Sequence, residues 1–175
     1  MIYETIADVY AANDKIREKL KEIVKNLTDE QLNFLPEGER WSVAQIVEHL
    51  SLVEDGMTRI SRKLLNEAKE TGKTSDGTVK ISEDFLQKAE RSREQKLEAP
   101  ERVHPKLGQT VPESLAKMEE NRKRLNELRP LFESVECSDY KFPHPAFGEL
   151  TAHEWLALIG GHEMRHIEQI KRILG

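Results

Sequence analysis

His162 and His166 stand four residues apart. If the chain around them is helical, both imidazoles leave one face about a turn apart, a spacing that chelates a single divalent ion. Both also fall on an apolar stripe, where the plainer reading is two partly buried histidines satisfied by hydrogen bonds. A third imidazole would decide between the two. His49, beside Ile46, Leu50 and Val53, lies at the edge of another such stripe and is the candidate. Three neutral imidazoles with metal–nitrogen distances of ~2.1 Å leave one or more positions for water or substrate, which is the form of a catalytic site. Nitrogen ligands discriminate weakly among divalent ions, so zinc, nickel, iron and manganese all suit the donor set.

The string His162-Glu163-Met164-Arg165-His166 also matches the H-E-x-x-H pattern of zinc proteases, in which the glutamate is the general base. The nine residues after His166 leave no room for the usual downstream third ligand of such proteases and no sheet is expected, so a protease is set aside and Glu163 is expected to be a solvated helix carboxylate. His144, held extended before Pro145, borders a pocket or simply occupies an exposed loop. His153 falls on the far side of its helix from His162, near the cap, and His104 before Pro105 reads as a loop residue. Asn13 and Arg122 interrupt apolar stripes. Exposure at the rim is the simpler account of both, and a cation and an amide beside the metal is the other. Gln169, about a turn beyond His166, is placed to hydrogen-bond a ligand from behind. Trp41 reads as a staple fixing the start of the second helix, and Cys137 as an inert thiol with no activating base near it in sequence.

These residues need elements to position them. Ile2, Ile6, Val9, Asn13, Ile16, Leu20, Ile23 and Leu27 alternate in steps of four and three, the mark of one long amphipathic helix. Thr28 to Gln31 has capping-box form and starts a short turn of helix. Ser42 to Gln45 is a second box, opening a helix to about Glu70 that carries His49. Residues 82 to 97 form a weaker helix, and Pro100, Pro105 and Gly108 mark a loop. A fourth helix runs from Pro112 through Phe132, followed by a loop at Pro143, Pro145 and Gly148. The last helix starts at the box Thr151 to Glu154 and carries both remaining candidates. No period-two strand is evident. The expectation is one all-α domain over residues 1–175, a four-helix bundle in up-down-down-up order with a short extra helix in the long crossover.

That order can be tested by arithmetic. At ~1.5 Å per residue, His49 lies about 10 Å from the start of its helix, and His166 and His162 about 12 and 18 Å from the end of theirs. Antiparallel packing of the two helices brings all three to a similar depth.

Composition narrows the function. The net charge of −5, from 27 Lys and Arg against 32 Asp and Glu, offers no cationic field to a phosphate backbone, which argues against nucleic acid. The apolar stretch from Trp155 to Gly161 is far short of the ~20 residues that cross a bilayer. Glu4 and Asp8 interrupt the turns where a signal peptide would be apolar. One cysteine forms no intrachain disulfide, which suits a reducing compartment, so a cytoplasmic protein with no membrane partner is expected.

The combination of Trp41 to Leu50, His144-Pro145-Ala146-Phe147-Gly148-Glu149-Leu150-Thr151, and His162-x-x-x-His166-Ile167-x-Gln169-Ile170 resembles the DinB/YfiT-like superfamily over nearly the whole chain. The resemblance implies a four-helix bundle, often a homodimer, with a divalent metal held by three histidines, at positions filled here by His49, His162 and His166. Characterised relatives include S-transferases that use bacillithiol or mycothiol and a thiol-dependent maleylpyruvate isomerase. A metal-dependent thiol S-transferase is therefore expected, with zinc or nickel before iron or manganese as the cofactor and a small thiol and an electrophile as partners. A noncatalytic, stress-associated dimer with a structural metal, or a metal-dependent hydrolase, is the alternative. Gln169 stands where some bacillithiol transferases carry another histidine, which separates this chain from that subgroup.

Overall fold

The computed structural model describes residues 3–92, 98–106 and 108–175. Its elements in chain order are α1 (Ile6–Lys25), α2 (Asp29–Asn33), α3 (Val43–Lys69), α4 (Glu83–Ser92), a 3-10 turn (Glu101–Val103), α5 (Val111–Glu127), α6 (Arg129–Ser134), β1 (Lys141–His144), β2 (Gly148–Thr151) and α7 (Ala152–Leu174). Helices α1, α2, α3, α5 and α7 all begin with a reciprocal cap. A Ser or Thr side chain accepts the N–H three residues on, and the side chain there returns to the cap N–H. Each such pair satisfies two of the orphan donors that a helix N-terminus leaves.

Cross-helix pairs fix the topology. Asn13 to Leu156, Arg17 to Glu163 and Lys19 to Glu168 rise together, so α1 and α7 run parallel. Asn121 reaches Ser51, Arg124 reaches Asp55 and Glu127 reaches Arg62, so α3 and α5 are parallel as well. Asp14 with Arg122 and Lys21 with Glu119 run in opposite senses, so α1 and α5 are antiparallel, and with the two parallel pairs this makes α3 and α7 antiparallel. The bundle is up-down-down-up, and the long connection between α3 and α5, carrying α4, crosses it.

Three expectations change. The segment at Pro143, Pro145 and Gly148 is a hairpin, with β1 antiparallel to β2 and Phe142 opposite Leu150. Its strands are four residues long and β1 contains Pro143, so period-two patterning has too few positions to register. Gly148, with φ of 78°, takes the left-handed conformation that closes such a three-residue loop. The fourth helix divides at Leu128, where α6 restarts with Pro130 in its first turn. Proline removes a backbone donor and tolerates only that turn. The first stripe outruns its helix, since Thr5 caps α1 and Asn26 ends it. Ile2 and the last five residues of the expected helix 82–97 lie outside the described residues.

Candidate metal centre

His49 sits in the second turn of α3, and His162 and His166 sit one turn apart, at the middle of α7 and just beyond it. The antiparallel crossing brings one nitrogen from each ring within 4.8 Å of the others. The Nε2 atoms of His49 and His162 are 3.4 Å apart. Two nitrogens bound at ~2.1 Å to one tetrahedral ion would stand ~3.4 Å apart.

The tautomers follow from what lies behind the rings. Val103 O, which only accepts, is 2.7 Å from His49 Nδ1, so Nδ1 carries the proton and the Nε2 lone pair faces the cluster. Gln169 Nε2 donates to Glu39 Oε2 at 2.9 Å, which fixes its amide. Gln169 Oε1 therefore accepts from His166 Nδ1 at 2.9 Å, and the Nε2 of that ring also keeps its lone pair. Partners behind the ring that set the tautomer in this way are what imidazole ligands of metals require. Trp41 packs its indole against His49, with ring centres 4.6 Å apart, and against His166 at 6.5 Å. The residue before the cap of α3 thus both packs into the core beside that helix and walls the cluster.

Burial holds the cluster neutral. Loss of water pushes His49 down to about 4 and His166 down to about 3, and it drives His162 well below the usual imidazole range, with the neighbouring rings adding to the shift. At neutral pH the three imidazoles keep lone pairs free to coordinate.

Beneath the cluster lies a buried ionic group that apolar patterning does not reveal. Glu163 is 2% exposed and meets Arg17 at 2.8 Å. It is a core ion-pair partner, not a solvated carboxylate. Arg17 also reaches Glu54 at 2.8 Å, and burial raises the Glu54 carboxyl against the pull of both arginines. Arg122, 7% exposed, joins Glu54 at 3.5 Å and Asp14 at 2.8 Å. Asn13 is fully buried and donates to Leu156 O. Neither residue lies on an exposed rim. Both are polar because the bundle core here is ionic. Patterning alone does not single out Arg17 and Glu54, although each follows a stripe residue by four positions, Asn13 and Leu50. Opposite charges at matched depth on two core stripes are the signal that marks them.

The other histidines divide. His153 is buried and its Nδ1 accepts Lys80 N–H at 3.1 Å, so it anchors the crossover and does not belong to the cap. His104 closes the 3-10 turn, bonds Ala99 O and stands edge-on to Trp41. His144 is half-buried at the end of β1, outside the three-ring cluster but close enough for its charge to act on His162. Cys137 is buried and its thiol is pushed up to about 11, chiefly by burial and then by Glu136.

All three cluster histidines open onto one cavity of about 580 Å³, a volume suited to a small organic ligand. The hairpin and α7 give it Phe142, Phe147 and Trp155, and the crossover supplies Phe85 and Arg102. No helix among the described residues is long and apolar enough to cross a membrane.

Known proteins are similar to this chain. The model of the DinB superfamily matches residues 12–170. Uncharacterized protein YuaE of Bacillus subtilis strain 168 is 32% identical over 152 residues, 86% of this chain and 87% of that protein. A crystal structure described as TT2238, a four-helix bundle protein, aligns with a TM-score of 0.63 at 22% identity, covering 95% of this chain and 98% of that one. The last comparison speaks to fold alone.

Proposed function

This chain belongs to the DinB superfamily, and we propose that it is a divalent-metal-dependent thiol S-transferase acting on a small electrophile, with His49, His162 and His166 as the ligands. The observation that carries this reading is that the three rings cluster on the wall of the large cavity, so that an ion held there keeps a face toward a substrate. The residues present fit such an ion. The Nε2 atoms of His49 and His166 keep their lone pairs, and the His162 Nε2 lies 3.4 Å from the first of them, a donor set that one cation would satisfy. A bound divalent ion lowers the pKa of a coordinated thiol and so increases the thiolate available as nucleophile at neutral pH. Zinc and nickel suit three imidazoles best, with iron and manganese next.

The chain's own residues do the rest. Val103 and Gln169 hold two of the rings in the coordinating tautomer. Trp41 covers the cluster on one side and excludes water from it. The aromatic wall of Phe85, Phe142, Phe147 and Trp155 offers an apolar seat for the body of the electrophile.

The test is elemental analysis of protein purified without exposure to affinity metals, followed by conjugation assays with several low-molecular-weight thiols and a common electrophile such as 1-chloro-2,4-dinitrobenzene. Near-stoichiometric metal together with metal-dependent conjugation supports the reading. His49→Ala is expected to remove both while leaving helicity intact. Bound metal with no turnover across the thiols would point instead to a noncatalytic, structural metal, and turnover of ester substrates alone to a hydrolase.

A further inference from the structure

The cavity has a second polar feature, remote in sequence from the histidine cluster. His144 ends β1, and its Nδ1 accepts two backbone N–H groups of the hairpin loop, from Ala146 at 3.1 Å and Phe147 at 3.2 Å. A nitrogen that accepts cannot carry the proton, so the neutral ring holds it on Nε2. Phe147, edge-on with ring centres 5.0 Å apart, and Trp155 at 5.3 Å fix the plane of the ring. Nε2 has no hydrogen bond among the described residues, and it is not one of the buried atoms left without a partner. It therefore keeps some exposure, and His144 is one of the residues that line the cavity. Burial and then the charge of Arg102 push this imidazole down to about 4, so the single-proton form prevails at neutral pH.

From this geometry we infer that His144 is a substrate-binding residue whose Nε2–H donates to an oxygen of the electrophile, selecting aromatic or apolar compounds that carry a carbonyl group. The inference rests on the cavity being the electrophile's site. The surroundings favour that class of ligand. The walls nearest His144 are Phe147 and Trp155, which suit a flat apolar body. Arg102 also lines the cavity, close enough for its charge to act on the His144 ring, and it favours negative charge on the oxygen bound there. A donor at a carbonyl oxygen withdraws electron density from the carbon framework conjugated to it, which makes that framework a better target for a thiolate. The loop N–H groups leave this ring no other tautomer to adopt, so the donor is set before the ligand arrives.

Binding alone tests this, with no thiol or metal needed. Acetophenone and its hydrocarbon isostere α-methylstyrene differ at the oxygen, and their affinities are readable through Trp41 and Trp155 fluorescence. The wild-type chain is expected to favour acetophenone by about tenfold, the net effect of one hydrogen bond. His144→Asn places an amide oxygen where Nδ1 accepts the loop N–H groups but leaves nothing at Nε2. It is expected to bind α-methylstyrene unchanged and to lose the preference. His144→Gln, whose amide N–H extends to the Nε2 position, is expected to restore it. Should H144N not fold, H144Q compared with H144M gives the same contrast. A preference that survives in H144N or in H144M, the absence of a preference in the wild type, or failure of both probes to bind overturns the inference. A wild-type preference that H144N loses, beside absent thiol conjugation, would sink the proposed activity and leave the donor standing.

Discussion

His166 and Gln169, less than a full turn apart on α7, are joined by a 2.9 Å hydrogen bond from Nδ1 to Oε1, and Glu39 holds the far end of the amide. The chain of three side chains fixes which nitrogen of His166 faces the cluster. Gln169→Leu keeps the volume and removes the acceptor. Loss of such a partner typically costs 10 to 100-fold in metal affinity, in the range of about 1.4 to 3 kcal/mol. Titration calorimetry with zinc should show that loss, while the thermal midpoint of the metal-free chain stays within a few degrees of wild type. An unchanged affinity would mean that the bond does not orient the ring.

The same burial that keeps the rings neutral makes the metal-free protein acid-sensitive. An unfolded histidine titrates near ~6.5, whereas His49 is held at about 4 and His166 at about 3. The unfolded chain therefore binds more protons between those values, and stability rises with pH there. The stability is fully present above pH ~6.5 and falls as pH drops through the window toward 4 and then 3. Each ring contributes a slope of up to about 1.4 kcal/mol per pH unit. Urea unfolding of the metal-free chain at pH 7, 6 and 5 should show the decline steepening below 6.5, and H49A should show a shallower one. Equal slopes would place the lost stability elsewhere.

Much of the bundle and of the histidine cluster is legible in the order of residues alone. The caps at Thr28, Ser42 and Thr151 and the stripes on α1, α3 and α7 are local properties of the chain, so they determine where helices begin and which faces meet. The shared depth of His49, His162 and His166 follows from helix rise. What stays hidden depends on long-range partners. Glu163 looks like any surface glutamate until Arg17, 146 positions away, closes on it. The carbonyl of Val103 has no side-chain signature, yet it sets the His49 tautomer. The hairpin from Lys141 to Thr151 is too short and too rich in proline for periodicity to reveal.

The buried ionic group predicts an order of costs. Arg17 is bonded to both Glu54 and Glu163, so Arg17→Ala takes from Glu163 its bonded cation and leaves Glu54 with only the 3.5 Å contact to Arg122. Glu54→Ala leaves Arg17 with Glu163, and Arg122 with Asp14. Removing one partner of a buried pair costs about 3 to 5 kcal/mol. R17A is expected at or above the upper end of that range, and E54A near or below the lower. Chemical denaturation measures both. The reverse order would show that Glu54, and not Arg17, organises the group.

Adjacent glycines on α7 should respond in opposite directions. A Cβ on Gly160 would lie 2.1 Å from Asn13 Oδ1 and 3.2 Å from Ile16 Cδ1. Asn13 cannot swing away cheaply, because it is fully buried and its amide donates to Leu156 O. Gly160→Ala therefore forces α1 and α7 apart, and overpacking of this kind costs typically about 1 to 3 kcal/mol. A Cβ on Gly161 meets nothing within 4 Å. Alanine relieves the entropic cost of a helical glycine, worth roughly 0.5 to 1 kcal/mol, so Gly161→Ala is expected to stabilise. Thermal unfolding of the two variants should move in opposite senses. A stabilised G160A would mean that the close approach of α1 and α7 at Asn13 is not a constraint on the bundle.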